Sequence, residues 1–139
     1  MLITAFTLLQ WETGWATRDN LHVIEANGDY ALTLHASIAL NNLNNCSCRH
    51  AVAGNDSGTT SLDGESVATK KNTGIQATVI SLDDYCPEFD IRHIDLLKID
   101  VEGYEAQVLK GAKNVMAYHP NIALELHLDD IAKYGSSVS

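Results

Sequence analysis

The sequence has few basic residues and no long apolar stretch. Nine Lys and Arg stand against 18 Asp and Glu among 139 residues, which gives a formal charge of −9. Nucleic-acid backbones are bound by an excess of basic side chains, so we expect no nucleic-acid partner. No run of about 18 consecutive apolar residues is present, so the sequence predicts no membrane-spanning helix and no membrane partner.

Proline and cysteine are also scarce. Two prolines leave no proline-rich linker, and the length fits one domain spanning residues 1–139. Three cysteines, an odd number, do not predict a disulfide framework and favour a reducing compartment. The apolar start, residues 1–11, has neither a preceding basic residue nor a small-residue cleavage site, so it is a poor signal peptide. We therefore expect a cytoplasmic protein.

Several catalytic and metal-binding motifs are missing. No GxSxG, HExxH or GxxxxGK[ST] occurs, so serine hydrolases, zincins and P-loop proteins lose their usual sequence support. Cys46, Cys48 and His50 fall within five residues, but the second pair of ligands that a zinc site needs is absent. Strand alternation puts the three on one face, where packing explains them better, and we assign no metal ligand.

Strand and helix patterns alternate along most of the chain. Residues 30–42 show apolar positions every four residues, and the helix that they predict has Asp29 as its N-cap. A second helix follows Tyr104. Residues 2–15 predict a helix, although Ile3, Thr4, Phe6 and Thr7 also fit a strand. Residues 59–74 predict a surface loop. The predicted strands are 21–25, 46–53, 75–82 (an edge strand), 94–101 and 122–128, the last two buried.

This order predicts an α/β domain with a mostly parallel sheet. In such sheets ligands bind at the carboxyl ends of the strands, close to where the strand order reverses. Acidic or histidine side chains stand at or near three of these ends: Glu25, Asp100, and Glu125 or His127. We expect the chemistry there.

Glu25 ends the predicted strand 21–25 and precedes a turn into a helix. A carboxylate at this position can accept two hydrogen bonds from a ribose diol, as acids at the end of a second strand do in nucleotide-binding units. The alternative is a solvated carboxylate that only favours the start of the next helix.

Residues 98–103 combine a strand end with several charges. Alternation places Lys98 and Asp100 on one face of the strand, so we predict that they pair. Such a pair either positions a substrate or is purely structural. Asp100 and Glu102 also lie beside a helix N-terminus, which favours ionised carboxylates. An ionised carboxylate here can hold a cation, remove a proton or contact a sulfonium.

Residues 94–105, followed by 108–112, resemble the signature stretch of the FkbM family of S-adenosylmethionine-dependent methyltransferases. The resemblance extends to the LDDY segment at residues 82–85 and runs from about Leu21 to Leu128. It implies a Rossmann-like methyltransferase fold, S-adenosylmethionine as cofactor, and O-methylation of a small or sugar-like (glycan) hydroxyl acceptor.

The resemblance also implies roles for particular residues. Glu25 corresponds to the ribose-binding acid, and the Asp100 carboxylate faces the methionine end of the cofactor. The implied cofactor-binding residues are Glu25, Ala26, Ala51, Val52 and Asp100. A base that takes the hydroxyl proton is one of three residues, Asp100, Glu102 and His127.

The sequence departs from the family pattern at both ends. The family opens with a strand and a Gly-rich turn, which this sequence lacks, and Ala26 stands where proline is usual. The last strands are also missing. We therefore expect an incomplete sheet with the first strand absent. Either the second and fourth strands of the fold close up, or residues 2–9 or a partner chain supply a replacement, and we favour a fourth possibility, a fragment of a longer reading frame.

Two other functions remain open. The second hypothesis is a non-catalytic or split α/β module that needs another chain or an N-terminal extension. A third hypothesis is a metal-dependent hydrolase built on the carboxylates of Asp100, Glu102 and Glu125.

Overall fold

The protein is described from a computed structural model, which covers residues 2–5, 20–63, 66–67 and 74–135. Nine strands and five helices follow one another in the described residues. They are β1 (Leu2–Ala5), β2 (Leu21–Glu25), α1 (Gly28–Leu40), β3 (Cys46–His50), β4 (Val52–Ala53), β5 (Gly58–Asp63), β6 (Ser66–Val67), β7 (Ile75–Ile80), α2 (Leu82–Glu88), β8 (Leu96–Ile99), α3 (Glu105–Lys110), α4 (Lys113–Met116), β9 (Asn121–Leu124) and α5 (Leu128–Ile131).

Five strands form a parallel sheet in the order β3-β2-β1-β8-β9. A second sheet has the order β4-β7-β5-β6, with β4 parallel to β7 and the β5 pairings antiparallel. The mixed α/β fold with a mostly parallel sheet confirms the predicted fold class.

The start of the chain corrects one expectation. Leu2–Ala5 is a strand and not the predicted helix, and it pairs with β2 on one side and β8 on the other. The central strand that we expected to be absent is therefore present, supplied by residues of the segment named as a replacement. Pairing on both sides satisfies the backbone groups of β2 and β8 that a gap would have left open. The rest of the predicted 2–15 helix lies outside the described residues.

The main hydrophobic core lies on one face of the first sheet. Leu97 and Ile99 of β8 and Ile24 of β2 are at most 2% exposed and pack with buried residues of α2, α3 and α4. The predicted alternation is confirmed, because Leu97 and Ile99 face this core while Lys98 bonds to Asp100 on the opposite face.

The LDDY segment forms the start of α2 and is hydrogen-bonded to the start of α4. Leu82 and Tyr85 are buried in the core at 1% and 0% exposure. The carboxylate of Asp83 accepts hydrogen bonds from the backbone N–H groups of Asn114 and Val115, at 2.9 to 3.1 Å, and so caps the N-terminus of α4. This segment therefore has a structural role.

The middle of the chain differs from its predicted form. The predicted strand 46–53 is two strands in different sheets, and part of the predicted loop 59–74 forms β5 and β6. Strand β7 is not an edge strand, because β4 and β5 pair with it on its two sides. Residues 64–65 and 68–73 lie outside the described residues.

Two further details are corrected. Asn27, not Asp29, caps α1, and its side chain accepts hydrogen bonds from the N–H groups of Asp29 and Tyr30. Strand β9 pairs only with β8 among the described residues, and its side chains are exposed rather than buried, including Ile122 at 48% and Leu124 at 38%.

Candidate functional site

The carboxyl ends of the five parallel strands lie at one edge of the first sheet. Ala5, the last residue of β1, pairs with Ile24 on one side and Ile99 on the other. The following residues, Glu25 and Asp100, therefore lie at the same level on either side of β1. Because strand alternation is shared across paired positions, both side chains belong to the same face, opposite the main core. Neighbouring strands are about 4.8 Å apart, so these two strand ends are separated by about 10 Å.

Glu25 is held by the turn that follows β2. Glu25 is only 6% exposed, and its Oε1 accepts a hydrogen bond from the backbone N–H of Asn27 at 2.7 Å. Burial, together with the nearby charge of Glu25, raises the pKa of the Cys48 thiol to about 11. Glu25 is thus a buried carboxylate, oriented by the turn, at the carboxyl end of β2.

A groove of about 240 Å³ opens beside this turn. It runs between the start of α1 and the second sheet, and its lining residues are Ala26, Asn27, Gly28, Asp29, His50, Leu62, Ile75, Gln76 and Ala77. The predicted contact residue Ala26 therefore faces this groove. Ala51 and Val52, also predicted to contact the cofactor, have side chains only 2% and 4% exposed and do not line it.

Asp100 and Lys98 form the predicted ion pair. The Nζ atom of Lys98 lies 2.8 Å from Oδ2 of Asp100, and the two side chains are 28% and 13% exposed. Partial burial makes each charge depend on the other, so the pair fixes the orientation of Asp100 at the end of β8.

The turn after Asp100 has an unusual backbone. Glu102 and Gly103 have positive φ angles of 51° and 93°. A Cβ on Gly103 would lie 2.5 Å from the Cβ of Asp130, so a glycine is required there. The N–H of Gly103 donates to Oε1 of Glu105 at 2.9 Å, which links the turn to the first residue of α3.

Glu105 is buried and contacts His127. It is 1% exposed, and its Oε1 lies 2.9 Å from Nδ1 of His127. An ionised carboxylate only accepts hydrogen bonds, so with Glu105 ionised Nδ1 of His127 is the protonated nitrogen and donates a hydrogen bond to Oε1. This hydrogen bond raises the pKa of His127, and the charges of Glu102 and Asp100 act in the same direction against the effect of burial.

Three side chains converge at the ends of β8 and β9. Asp100, Glu125 and His127 offer ligand atoms that all lie within 4.8 Å of one another, and we call them the edge cluster. The N–H of Glu125 donates to the carbonyl of Ile99 at 3.0 Å, which sets Glu125 beside Asp100. Glu102 approaches the cluster too, with Oε2 3.5 Å from Nε2 of His127.

The structure thus brings Asp100, Glu102 and His127, the three predicted bases, into one place. Glu25 lies on the other side of β1. The sequence analysis did not identify Glu105 as the partner of His127. The available signal was its position three residues after Glu102, at the start of the helix that follows the Asp100 strand.

Comparison with known proteins identifies a family. A model of the Methyltransferase FkbM domain matches residues 14–135, most of the chain. This chain belongs to the FkbM methyltransferase domain family.

The fold of this FkbM domain is similar to a solved structure. The match is the crystal structure of the methyltransferase FkbM from Methylobacillus flagellatus KT, with a TM-score of 0.58 and 20% sequence identity. It covers 84% of the present chain and 29% of that protein's chain, so the FkbM domain described here spans less than a third of its structural neighbour's length. A comparison with curated proteins gives no significant match. Among the described residues of this FkbM domain, every helix is too short or too polar to cross a bilayer.

Proposed function

We propose that this FkbM domain binds S-adenosylmethionine at the carboxyl edge of the first sheet and methylates a hydroxyl oxygen of a small or sugar-like acceptor. The observation that supports this best is the position of Glu25 and Asp100, at one level and on one face, on either side of β1. Strand order in the first sheet reverses at β1, and parallel α/β sheets bind ligands at such a point.

Glu25 is the residue proposed to bind the ribose. Its carboxylate is buried and oriented by Asn27, so it can accept hydrogen bonds from a diol without losing further side-chain freedom. The adjoining groove of about 240 Å³, with Ala26 in its lining, is proposed to receive the adenine. Ala51 supports this end, since its N–H donates to the carbonyl of Glu25 at 3.0 Å.

Asp100 is proposed to face the methionine end. When bound, the cofactor supplies a methyl group on a positively charged sulfur, and Asp100 places a carboxylate on that side of β1. The chain's own work is to align the acceptor oxygen in line with the methyl group and to take up the hydroxyl proton. Asp100, Glu102 and His127 lie together for that proton transfer.

We also propose a reducing, cytoplasmic location. Cys46, Cys48 and Cys86 are free thiols in the structure, and only Cys86 is fully buried. Two partly exposed thiols two residues apart on one strand are compatible with a compartment that keeps cysteines reduced.

The binding of S-adenosylhomocysteine, measured by titration calorimetry, tests the proposed function. We expect saturable binding to the wild-type chain and an affinity loss of about 10-fold or more for Glu25→Gln, because hydrogen bonds to a charged acceptor contribute about 1.5–3 kcal/mol. Glu88→Gln is the matched control, since Glu88 is an exposed carboxylate that contacts Arg49 on the surface. Urea denaturation of each variant separates lost binding from lost folding.

Two results would count against the proposal. Absence of binding to the folded wild-type chain at about 1 mM ligand would favour the non-catalytic or split module. Equal affinity of wild type and Glu25→Gln would remove the ribose role of Glu25 and place any binding elsewhere.

A further inference from the structure

We propose that the edge cluster of Asp100, Glu125 and His127 binds a divalent transition-metal cation. The three residues come from the ends of two neighbouring strands, β8 and β9, and their ligand atoms lie within 4.8 Å of one another. In the sequence analysis, Asp100 and Glu125 were grouped as metal carboxylates only in the third hypothesis, with Glu102 and without His127. The pairing of β8 and β9 brings His127 to these two carboxylates.

The donor set indicates which cations fit. Two carboxylate oxygens and one imidazole nitrogen suit Mn²⁺, Fe²⁺ or Zn²⁺ better than Mg²⁺ or Ca²⁺, which prefer oxygen ligands alone. With Glu102 beside the cluster, three carboxylates stand against the one ammonium of Lys98, which leaves two negative charges for a divalent cation. Oδ2 of Asp100 bonds to Lys98, which leaves Oδ1 for the cation.

The distances require only a small adjustment. Atoms that bind one cation at about 2.1 Å lie about 3.0–4.2 Å from one another. The ligand atoms of the edge cluster lie within 4.8 Å of one another, so they need to move only slightly closer. Glu125 is exposed, so rotation of its side chain can bring its carboxylate closer without disturbing the core.

Glu105 provides an independent observation that points to a ligand on His127. Its carboxylate is 1% exposed, and Oε2 has no hydrogen-bond partner among the described residues. A buried carboxylate is costly unless positive charge compensates it. Glu105 Oε1 lies 2.9 Å from Nδ1 of His127, which leaves Nε2 as the nitrogen that can bind a cation. In metal sites a second carboxylate commonly orients a histidine ligand in this way.

A protonated His127 is the competing explanation. An imidazolium would donate to Glu105 through Nδ1 and approach Glu102 through Nε2, with a separation of 3.5 Å. This arrangement makes no use of Glu125, whose carboxylate is not needed for an ion pair of His127. The two explanations therefore differ in the effect of changing Glu125.

The experiment uses the chelator-treated full chain and needs no methyl donor. A titration with MnCl₂ should show one saturable site per chain. Binding is measured by calorimetry and by the loss of the electron paramagnetic resonance signal of free Mn²⁺. ZnCl₂, MgCl₂ and CaCl₂ are parallel arms, and we expect Mg²⁺ and Ca²⁺ to bind more weakly than Mn²⁺ and Zn²⁺.

Variants connect any bound cation to the edge cluster. Glu125→Gln is the decisive change, since an exposed side chain is replaced with little risk to folding, and we expect an affinity loss of at least about 10-fold. Asp100→Asn should lower the affinity as well, and Glu105→Gln should lower it about 10- to 100-fold by releasing His127. Glu88→Gln should bind like the wild type.

Two outcomes would overturn the inference. One is the lack of saturable Mn²⁺ or Zn²⁺ binding by the folded chain. The other is binding that is equal in wild type and Glu125→Gln, which would show an adventitious ion only. Because S-adenosylhomocysteine binding is measured separately and without metal, failure of the cation site leaves the proposed cofactor site standing, and the reverse also holds.

Discussion

Replacing Asp83 with alanine should loosen helix α4 without touching the candidate site. The carboxylate of Asp83 accepts hydrogen bonds from Asn114 at 2.9 and 3.1 Å and from Val115 at 3.1 Å. These two donors are N–H groups at the start of α4, which have no partner within the helix. Asp83→Ala removes the acceptor for both.

The expected loss of stability follows from these two bonds. Removing an N-cap acceptor costs about 0.5–2 kcal/mol, and the negative charge of Asp83 places it in the upper part of this range. We expect Asp83→Ala to lower the free energy of unfolding by about 1–2 kcal/mol and Tm by about 3–8 °C. Asp83→Asn keeps one acceptor oxygen and should lose about half as much.

Urea denaturation, followed by far-ultraviolet circular dichroism, measures this change. Asp63→Ala, at an exposed aspartate at the end of β5, is the control and should alter stability by no more than about 0.5 kcal/mol. Equal stability of Asp83→Ala and Asp63→Ala would refute the capping role and would leave the LDDY segment without its proposed structural reason.

Three further changes test other parts of the fold. Gly111→Ala should lower stability by at least about 2 kcal/mol in urea denaturation, because the new Cβ would lie 2.0 Å from the carbonyl oxygen of Gly54; wild-type stability would contradict this close approach. Gly103→Ala should also destabilise, owing to its φ of 93° and the contact with Asp130, and an unchanged Tm would argue against the tight turn. Burial lowers the pKa of His22, so the unfolded chain binds a proton more readily and stability should fall as the pH drops through about 6.5. His22→Gln should reduce this pH dependence of Tm relative to wild type, and identical pH profiles would count against it.

Short-range apolar patterns predicted the elements whose residues repeat with a clear period. The apolar run before Asp100 predicted β8, and alternation within it predicted that Lys98 and Asp100 share a face. Residues 30–42 likewise predicted α1 within two residues at each end. In both cases the spacing of the apolar residues is typical of the element that they form, so the sequence alone indicates it.

Elements that depend on distant partners were not predicted. Leu2–Ala5 has no clear period and becomes a strand through pairing with β2 and β8. Strand β5 is largely polar, and its backbone pairing with β7 makes it a strand where composition favoured a loop. Such pairing is invisible to a window of neighbouring residues.

The candidate site shows the same division. Glu25, Asp100 and His127 could be selected from the sequence because each stands at or near the carboxyl end of a predicted strand. The contact of Glu105 with His127 could not be predicted, since it depends on how the turn at Gly103 folds back. The third hypothesis grouped Glu125 with Asp100, but their approach to His127 depends on the register of β9.

The position of β1 has a consequence for how the protein is made. Leu2 pairs with Leu21 and with Leu96, so the middle strand of the sheet is synthesised long before one of its two neighbours. Until β8 leaves the ribosome, one side of β1 offers open backbone groups to any passing extended peptide. The order of synthesis therefore leaves the central strand with one unpaired side until nearly 100 residues have been made.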